Sequence, residues 1–314
     1  MNVTVPCFAK LNLDLRVLYK RDDGYHELRT IFQTINLKDR LHIEFRPDRK
    51  THIEVSSSVY IPDNLVVRSA KLLLDYLKVS GWVRFALSKI IPLGAGLGGG
   101  SSNAAAVLLA LPALIGKKIP YPDLVRLAES LGSDVPFFLQ GGTALGLGRG
   151  TELYPLPDQP PRHAVVVVAP GIHVSTPEAY RSLGRSLTSP SVSPILREFQ
   201  AITWNLDRPG LDTLPLTNDF QLPVLRAHPS LANLARKLQR LGARPALMTG
   251  SGSALFGIFP SAEAAERAAA DFPALMAFPV RFVSRRQYAR AWRHALGSAA
   301  EGSCFANRRS GRKG

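Results

Sequence analysis

The stretch "PLGAGLGGGSSNAAAVL", Pro92–Leu108, holds five glycines among its first nine residues, followed by two serines, an asparagine and an alanine-rich apolar run. Glycine has no Cβ, so its backbone can approach a ligand closely and turn several N–H groups toward one point. Alternating apolar residues predict a strand over 82–91 before the loop, and a helix is predicted after it from about Ser101 to Leu114. The positive end of that helix and the converging amides together predict a loop that binds phosphate.

Three known phosphate-binding patterns compete for this loop. Gly94, Gly96 and Gly99 match G-x-G-x-x-G, but the segment about 20 residues on, "GKKIPYPDL", is typical of a loop and a helix start and not of the second strand of a dinucleotide fold. No Gly-Lys-Ser/Thr ends the loop, so the Walker pattern fails, and no V-A-I-K, H-R-D or D-F-G motif of protein kinases occurs. A flexible turn before a buried helix is the alternative without a ligand. Phosphate binding is favoured over it, because so many glycines cost folding entropy.

Length and composition set the broad class. The 314 residues, 46% of them hydrophobic, suffice for one large or two medium domains. Cys7 and Cys304 lie at opposite ends, so no disulfide framework is expected. No signal-peptide layout begins the chain, and no apolar run is long enough to span a bilayer. These features predict a cytoplasmic protein that does not enter a membrane.

Positive charge is concentrated at the C-terminus. Residues 284–314 contain eight Lys or Arg and one Glu, so they carry +7 (8 − 1) of the net +15 and leave +8 elsewhere. A basic surplus suits anionic ligands, either nucleotides or nucleic acid. A solvated basic tail is favoured over a dedicated nucleic-acid site, because such tails are common and unspecific.

Strands and helices mix in both halves of the chain, which predicts an α+β fold rather than regular βαβ alternation. The proline-rich segment 155–162, "PLPDQPPR", predicts a linker. We therefore expect an N-terminal domain over 1–157, a C-terminal domain over 158–286, and a partly disordered basic tail over 287–314.

Local patterns give further expectations. Asp63 is predicted to be the N-cap of a helix that reaches Leu77. After an Asp-Gly turn at 23–24, separate strands are predicted near 28–35 and 41–55. A single helix is predicted near 222–241 and a last strand near 280–284.

Five segments of the chain, in order, resemble the motifs of the GHMP kinases, the superfamily of small-molecule kinases. They are "FAKLNLDLRVLYKRDDGYHELRTIFQTI", "PLGAGLGGGSSNAAA", "LGSDVPFFLQGGTALGLGRGTEL", "GIHVSTPEAY" with "TNDF", and "MTGSGSALFGIF". Together they cover roughly residues 5–286, and several ordered motifs are far more specific than one. The resemblance implies a two-domain α+β fold whose N-terminal half resembles domain 2 of ribosomal protein S5. It places the active site in the cleft between the halves.

The resemblance implies two catalytic residues. Asp134 would orient the attacking hydroxyl and accept its proton, although an N-cap would also explain an acid before an apolar run. Lys10 would keep Asp134 ionised and attract the hydroxyl, although most lysines simply face solvent.

ATP is the implied phosphoryl donor, accompanied by Mg²⁺ that bridges phosphate oxygens. The implied ATP-binding residues are Asn64 near the base and the loop residues Pro92, Leu93, Gly94, Ala95, Gly96, Leu97, Gly98, Gly99, Gly100, Ser101 and Ser102. Asn64 could instead be an N-cap. The Mg²⁺ ligands stay unknown, with a loop serine as one option.

The implied substrate is a small molecule that carries cytidine diphosphate. Tyr25 would stack on the cytosine, His26 would bond its edge, Tyr180 would cover its other face, and Asn12 and Thr176 would add polar contacts. A kinase of the mevalonate or homoserine type is the nearest alternative. An RNA-binding module is a remote one, although we expect no nucleic-acid partner. The sequence leaves the oligomeric state unknown.

Overall fold

Two β-sheets organise the chain in the computed structural model, which describes residues 1–158, 164–183, 192–206, 214–273, 276–297 and 305. The first sheet has six strands and the second has four. The strands of the first sheet are β1 (Asn2–Lys20), β2 (His26–Pro47), β3 (His52–Ser57), β4 (Gly81–Ser88), β5 (Thr143–Gly148) and β6 (Glu152–Pro155). The strands of the second are β7 (Ala164–Val168), β8 (Ala246–Met248), β9 (Leu255–Phe259) and β10 (Ala277–Arg281).

Strand β2 is the centre of the first sheet. It pairs with β1 from His26 to Glu44, with β4 at its C-terminal end and with β5 near its N-terminal end. The separate strands predicted at 28–35 and 41–55 are wrong: the first is part of β2, and the second is divided between β2 and β3. The pairing shifts register between Phe8 and Ala9, where β2 has two extra residues, 36 and 37. Pairing to β1 therefore continues through a segment in which the alternation of apolar residues is interrupted.

Three helices cover the first sheet: α1 (Leu65–Leu77), α2 (Gly99–Ile115) and α3 (Tyr121–Leu131). Helix α2 is buried on almost every side, because alanines allow its neighbours to approach closely. Asp63 does not cap α1 as predicted. The N-cap is Asn64, whose side chain accepts a hydrogen bond from Val66 N, while Asp63 has a φ of 47° outside the helix.

Five helices accompany the second sheet: α4 (Thr176–Ser182), α5 (Val192–Asn205), α6 (Gln221–Ala227), α7 (Pro229–Arg240) and α8 (Ala262–Ala270). The single helix predicted at 222–241 is therefore wrong. Pro229 forces His228 out of the helical region, to φ −126° and ψ 83°, and divides α6 from α7. The predicted last strand is β10, which ends at Arg281 and starts earlier than expected.

The segment expected to begin the basic tail forms a helix, α9 (Arg285–Leu296). Its Tyr288 and Trp292 are buried in the same apolar cluster as Phe8 of β1. The tail prediction is therefore wrong for 287–296, because an apolar stripe at helical spacing outweighs the surrounding arginines. Residues 298–304 and 306–314 of that prediction lie outside the described residues.

The two sheets share one buried cluster, which includes Leu11 of β1 and Phe256 of β9. Isolated backbone bridges also join Leu15 to Asn218 and Ile35 to Phe282. The first sheet ends at Pro155 and the second begins at Ala164, while the domain limits given above stay a prediction. Within the part of the chain that the structure describes, no helix is long and apolar enough to cross a membrane.

Candidate active site

A cleft of about 890 Å³ lies where the two halves meet. Its walls come from the β1–β2 hairpin, the glycine loop, the segment before the 3₁₀ turn Pro136–Leu139, helix α4 and the turn at 250–252. Predicted site residues that line it are Lys10, Asn12, Tyr25, His26, Gly94, Gly96, Ser101, Asp134, Thr176 and Tyr180. The fold therefore gathers residues from all five sequence segments in one cavity.

Lys10 and Asp134 face each other in this cleft, with Lys10 Nζ 3.2 Å from Asp134 Oδ2. Lys10 Nζ also donates to Asn12 Oδ1 at 2.6 Å, and Asn12 Nδ2 donates to Thr30 Oγ1 at 2.7 Å. Both ends of the Asn12 amide are thus occupied within the protein. These hydrogen bonds fix the position of the lysine. Asn12 therefore has a structural role, in addition to the substrate contact predicted for it.

The backbone holds Lys10 next to the glycine loop. Its N–H donates to Leu97 O at 3.0 Å, and the register of β1 shifts between Asn12 and Asp14. Strand irregularities of this kind redirect side chains and are common beside active sites. The Lys10 ammonium lies 5.5 Å from the centre of the Phe32 ring, which adds a cation–π contact to its burial.

The loop glycines are required first by the protein's own packing. Gly94, Gly96 and Gly98 have φ values of 63°, 76° and 71°, in the left-handed region that favours glycine. A Cβ on Gly98 would lie 2.8 Å from Phe138 Cζ and 3.0 Å from Lys10 Cγ. A Cβ on Gly96 would overlap the Thr249 carbonyl. The loop is thus wedged between Lys10 and the "MTGSGSALFGIF" segment.

The beginning of α2 offers hydrogen-bond donors that suit phosphate groups. Gly98 is its N-cap and provides no side-chain hydrogen bond, so the first amides of the helix lack a capping acceptor. Ser101 lines the cleft, and Ser102 Oγ is buried without a hydrogen-bond partner among the described residues. Uncapped amides and unpaired hydroxyl groups are the donors that a phosphate needs.

A buried ion pair supports this loop, and sequence reasoning missed it. Asp39 accepts hydrogen bonds from Lys89 Nζ at 2.5 Å, Ile90 N at 2.7 Å, Ile91 N at 2.8 Å and Asn103 Nδ2 at 3.0 Å. It thereby ties the entry of the loop to α2. The available signal was a lone acid between the apolar Leu37 and Leu41 of a strand, which argues for a buried and paired carboxylate.

Four rings line the other end of the cleft. His26 stacks on Tyr180 with centroids 4.4 Å apart, and Tyr180 meets Phe220 edge-on at 4.8 Å. Tyr25 is 49% exposed and does not touch Tyr180 in any ring contact within the described chain. The guanidinium carbon of Arg149 lies 3.7 Å from the Tyr25 ring centre. The structure therefore brings His26 and Tyr180 together and pairs Tyr25 with an arginine that sequence reasoning missed.

The electrostatics of this aromatic end favour neutral rings. Burial, reinforced by the positive charge of Lys20, lowers the pKa of His26. Burial, with a smaller contribution from the Asp134 charge, raises the pKa of Tyr180 to about 12. A neutral imidazole and a protonated phenol can each donate and accept a hydrogen bond, which suits the edge of a nucleobase.

The remaining predicted residues have clear positions. Asn64 acts as the α1 N-cap through Oδ1, which is the alternative stated for it above. Thr176 Oγ1 lies 2.9 Å from Ser251 Oγ, across the cleft mouth. Ala95 and Leu97 are buried, so only their backbone can face a ligand, while Leu93 is 54% exposed. Asn12 N donates to Thr249 Oγ1 at 3.0 Å, a further contact that the sequence did not indicate.

Comparison with known protein families agrees with this geometry. The family model described as "GHMP kinases N terminal domain" matches residues 64–142, and "GHMP kinases C terminal" matches residues 190–277. The chain therefore belongs to the GHMP kinase family and is an ATP-dependent small-molecule kinase. The predicted α+β GHMP kinase fold and the predicted enzyme class are confirmed.

Two named relatives within this family share one kinase name. The protein named 4-diphosphocytidyl-2-C-methyl-D-erythritol kinase from Solibacter usitatus is 52% identical over 292 residues, covering 92% of this chain and 91% of its own. A protein of that name from Thermus thermophilus is 40% identical over 300 residues, covering 94% of this chain and 97% of its own.

Solved structures give the same grouping. A crystal structure of 4-(cytidine 5'-diphospho)-2C-methyl-D-erythritol kinase, 40% identical, superposes with a TM-score of 0.74 over 90% of this chain and 99% of its own. Homoserine kinase from Cytophaga hutchinsonii, 20% identical, reaches a TM-score of 0.69 over 91% and 96%. At that identity the second likeness shows the shared fold alone.

Proposed function

We propose that this protein transfers the γ-phosphoryl group of ATP to the 2-hydroxyl of 4-diphosphocytidyl-2-C-methyl-D-erythritol, giving ADP and the 2-phosphate. The reaction belongs to the non-mevalonate route to isoprenoid precursors. The observation that carries the proposal is the Lys10–Asp134 pair, which lies in one cleft with the glycine loop and the aromatic end. The named relatives support the same substrate.

Asp134 orients the 2-hydroxyl and accepts its proton as the new oxygen–phosphorus bond forms. A carboxylate is too weak a base to deprotonate an alcohol beforehand, so orientation comes first and proton acceptance is late. When bound, ATP supplies the activated phosphoryl group and its ADP portion leaves with the electron pair of the broken bond. The Lys10 ammonium, 3.2 Å from the Asp134 carboxylate, holds that carboxylate in place and stabilises negative charge near the reacting oxygen.

The α2 amides and the serines at its start would hold the phosphates, and Asn64 would lie near the base. Mg²⁺ would accompany ATP and neutralise phosphate charge. The described residues contain no group of three or more His, Cys, Asp or Glu that could hold a metal ion. This suits Mg²⁺ bound mainly by phosphate and water, with Asp134 and a serine of the loop as candidate protein ligands, of which Asp134 and Ser101 line the cleft.

Tyr25, His26, Tyr180 and Thr176 would receive the cytidine diphosphate portion of the substrate. The half-exposed Tyr25 ring offers a face for stacking, and the neutral His26 offers a donor and an acceptor to the base edge. We place the reaction in the cytoplasm, where ATP is available and where the absence of a disulfide framework is expected.

The test is ADP release with three acceptors at equal concentration: 4-diphosphocytidyl-2-C-methyl-D-erythritol, mevalonate and homoserine. We expect turnover with the cytidyl acceptor and a value of kcat/KM at least about a hundredfold lower for the others, since neither can use the aromatic end. Equal or greater turnover of mevalonate or homoserine would overturn the proposal.

A further inference from the structure

The contact between Arg149 and Tyr25 joins two hairpins at the aromatic end of the cleft. Tyr25 lies in the turn between β1 and β2, and Arg149 lies in the turn between β5 and β6. These turns are neighbours because β2 pairs with β5, where Leu28 lies opposite Gly148. Gly148 and Gly150, with φ values of 64° and 89°, flank Arg149 and allow the sharp turn that carries it.

The Tyr25 backbone is held by its own turn, but its ring is held from outside. Arg21 N donates to Tyr25 O at 2.8 Å, and Tyr25 N donates to Asp23 Oδ1 at 3.1 Å. The guanidinium carbon of Arg149 lies 3.7 Å from the ring centre, within the range of a close cation–π contact. One face of Tyr25 is therefore covered, while the residue is 49% exposed and lines the cleft.

Arg149 is itself partly enclosed. Its Nε is buried and has no hydrogen-bond partner among the described residues, while its guanidinium lies over the Tyr25 ring and its positive charge acts on the Asp23 carboxylate. An unpaired buried N–H costs free energy, so other interactions must offset it. The ring contact and the attraction to Asp23, rather than a hydrogen bond to Nε, hold the side chain in place.

We propose that Arg149 is a positioning residue that fixes the Tyr25 ring, so that cytosine stacks on the opposite face in a guanidinium–phenol–base order. Fixing the ring before binding removes part of the entropy cost of ordering it, and this raises affinity for the base. The inference rests on the proposed function, because it concerns how that substrate is recognised. A direct contact of Arg149 with the substrate diphosphate is the competing interpretation.

The experiment measures dissociation constants for cytidine, CDP and ATP by calorimetry, using wild type, Arg149→Met, Tyr25→Ala and the double variant. If Arg149 acts through Tyr25, Arg149→Met raises Kd for cytidine and CDP by the same factor, about three- to tenfold, and leaves Kd for ATP within twofold. The double variant then binds no more weakly than Tyr25→Ala alone. Arg149→Lys, which keeps the charge and loses the planar group, should recover part of the affinity.

Arg46→Met is the matched control. Arg46 lies over the Trp82 ring at 5.1 Å, a contact of the same kind away from the cleft, so its loss should not change any of the three constants. A loss confined to CDP would assign Arg149 to the phosphates and overturn the inference, as would additive losses in the double variant or unchanged binding by Arg149→Met. If wild type bound neither cytidine nor CDP, the proposed function itself would fail.

Discussion

Lys10 and Asp134 form an ion pair with unequal exposure: Nζ and Oδ2 are 3.2 Å apart, but the lysine side chain is 3% exposed and the aspartate 32%. The cation is enclosed by the protein, whereas the carboxylate meets the cleft. A buried cation needs its counter-charge, and an accessible carboxylate can reach a substrate hydroxyl. The asymmetry therefore supports the proposal that Asp134 contacts the substrate and that Lys10 supplies the supporting charge.

Asp134→Asn should reduce kcat by about 10²- to 10⁴-fold while both substrates bind near wild-type affinity. The amide keeps the shape of the side chain but cannot accept the hydroxyl proton, and its NH₂ group can turn toward the nucleophile. Single-turnover transfer of labelled γ-phosphate at saturating substrates measures the effect. A rate within threefold of wild type would show that Asp134 has only a structural task.

Lys10→Met should also reduce kcat, and the variant carrying both Lys10→Met and Asp134→Asn should be less than multiplicatively slower. The two groups act as a unit through their 3.2 Å contact, so losing one removes much of what the other contributes. The same single-turnover measurement on the four proteins checks this. Fully multiplicative losses would contradict a shared role.

The sequence allowed us to predict that distant motifs share one site, but not which residues of those motifs are in contact. Lys10 and Asp134 were assigned to one site from motif resemblance, and the fold places them side by side, while their roles stay predictions. Strand and helix types followed from periodicity, and β4 and α2 lie close to the strand and the helix predicted on either side of the glycine loop. Local sequence patterns predict an element where one face of it is buried, because burial of one face gives the apolar residues a regular spacing.

Tertiary contacts decided the rest. Helix α9 forms among arginines because Tyr288 and Trp292 find a core contributed by residues far away in the chain. The contact of Arg149 with Tyr25 depends on the pairing of β2 with β5, which no local pattern specifies. The glycines offer a third case, since Gly96 is required by the Thr249 carbonyl as much as by any phosphate.

Gly96→Ala should therefore damage the site more than its backbone strain alone would. The added Cβ overlaps the Thr249 carbonyl, so the loop or the 249–252 turn must move and both Lys10 and the α2 amides lose their alignment. We expect a fall of at least about tenfold in kcat/KM for ATP, on the scale of a contact misplaced by about 1 Å.

Gly116→Ala is the control for backbone strain. Gly116 has a φ of 75°, nearly the 76° of Gly96, and nothing lies within 4 Å of its added Cβ. It should lose about 1 kcal/mol of stability with little change in steady-state kinetics. Equal kinetic losses in both variants would contradict the role of steric contact at Gly96.

Asp14 should make the folding stability depend on pH. Burial raises its pKa from 3.8 to about 6, although Arg16 and the Thr217 amide act in the opposite direction. The folded protein thus holds this proton more tightly than the unfolded chain. The resulting stability is fully present below about pH 4 and is lost as pH rises through about 6.

Urea unfolding of wild type and Asp14→Asn between pH 4 and pH 7 isolates this effect, because every other titrating group is common to both proteins. The free energy of unfolding of wild type should fall relative to that of Asp14→Asn as pH rises. Parallel curves would contradict the elevated pKa, and any constant offset between them reports the altered hydrogen bonds to Arg16 and Thr217.

Trp292→Ala should show that α9 is part of the N-terminal core. Trp292 is 1% exposed and stacks on Phe305 at 5.5 Å, and the preceding Tyr288 donates from Oη to Phe138 O at 2.5 Å. Truncating a buried tryptophan costs about 3–5 kcal/mol, so the midpoint of urea unfolding should fall clearly. Arg290→Ala, an exposed change on the same helix, should stay within about 0.5 kcal/mol of wild type.

The same pair of variants links α9 to the glycine loop. Phe138, which accepts the Tyr288 hydrogen bond, also packs against Gly98, so we expect the residual folded Trp292→Ala protein to bind ATP more weakly than the Arg290→Ala control. A stability loss for Trp292→Ala no larger than that of Arg290→Ala would mean that the helix is loosely attached, as a basic tail would be.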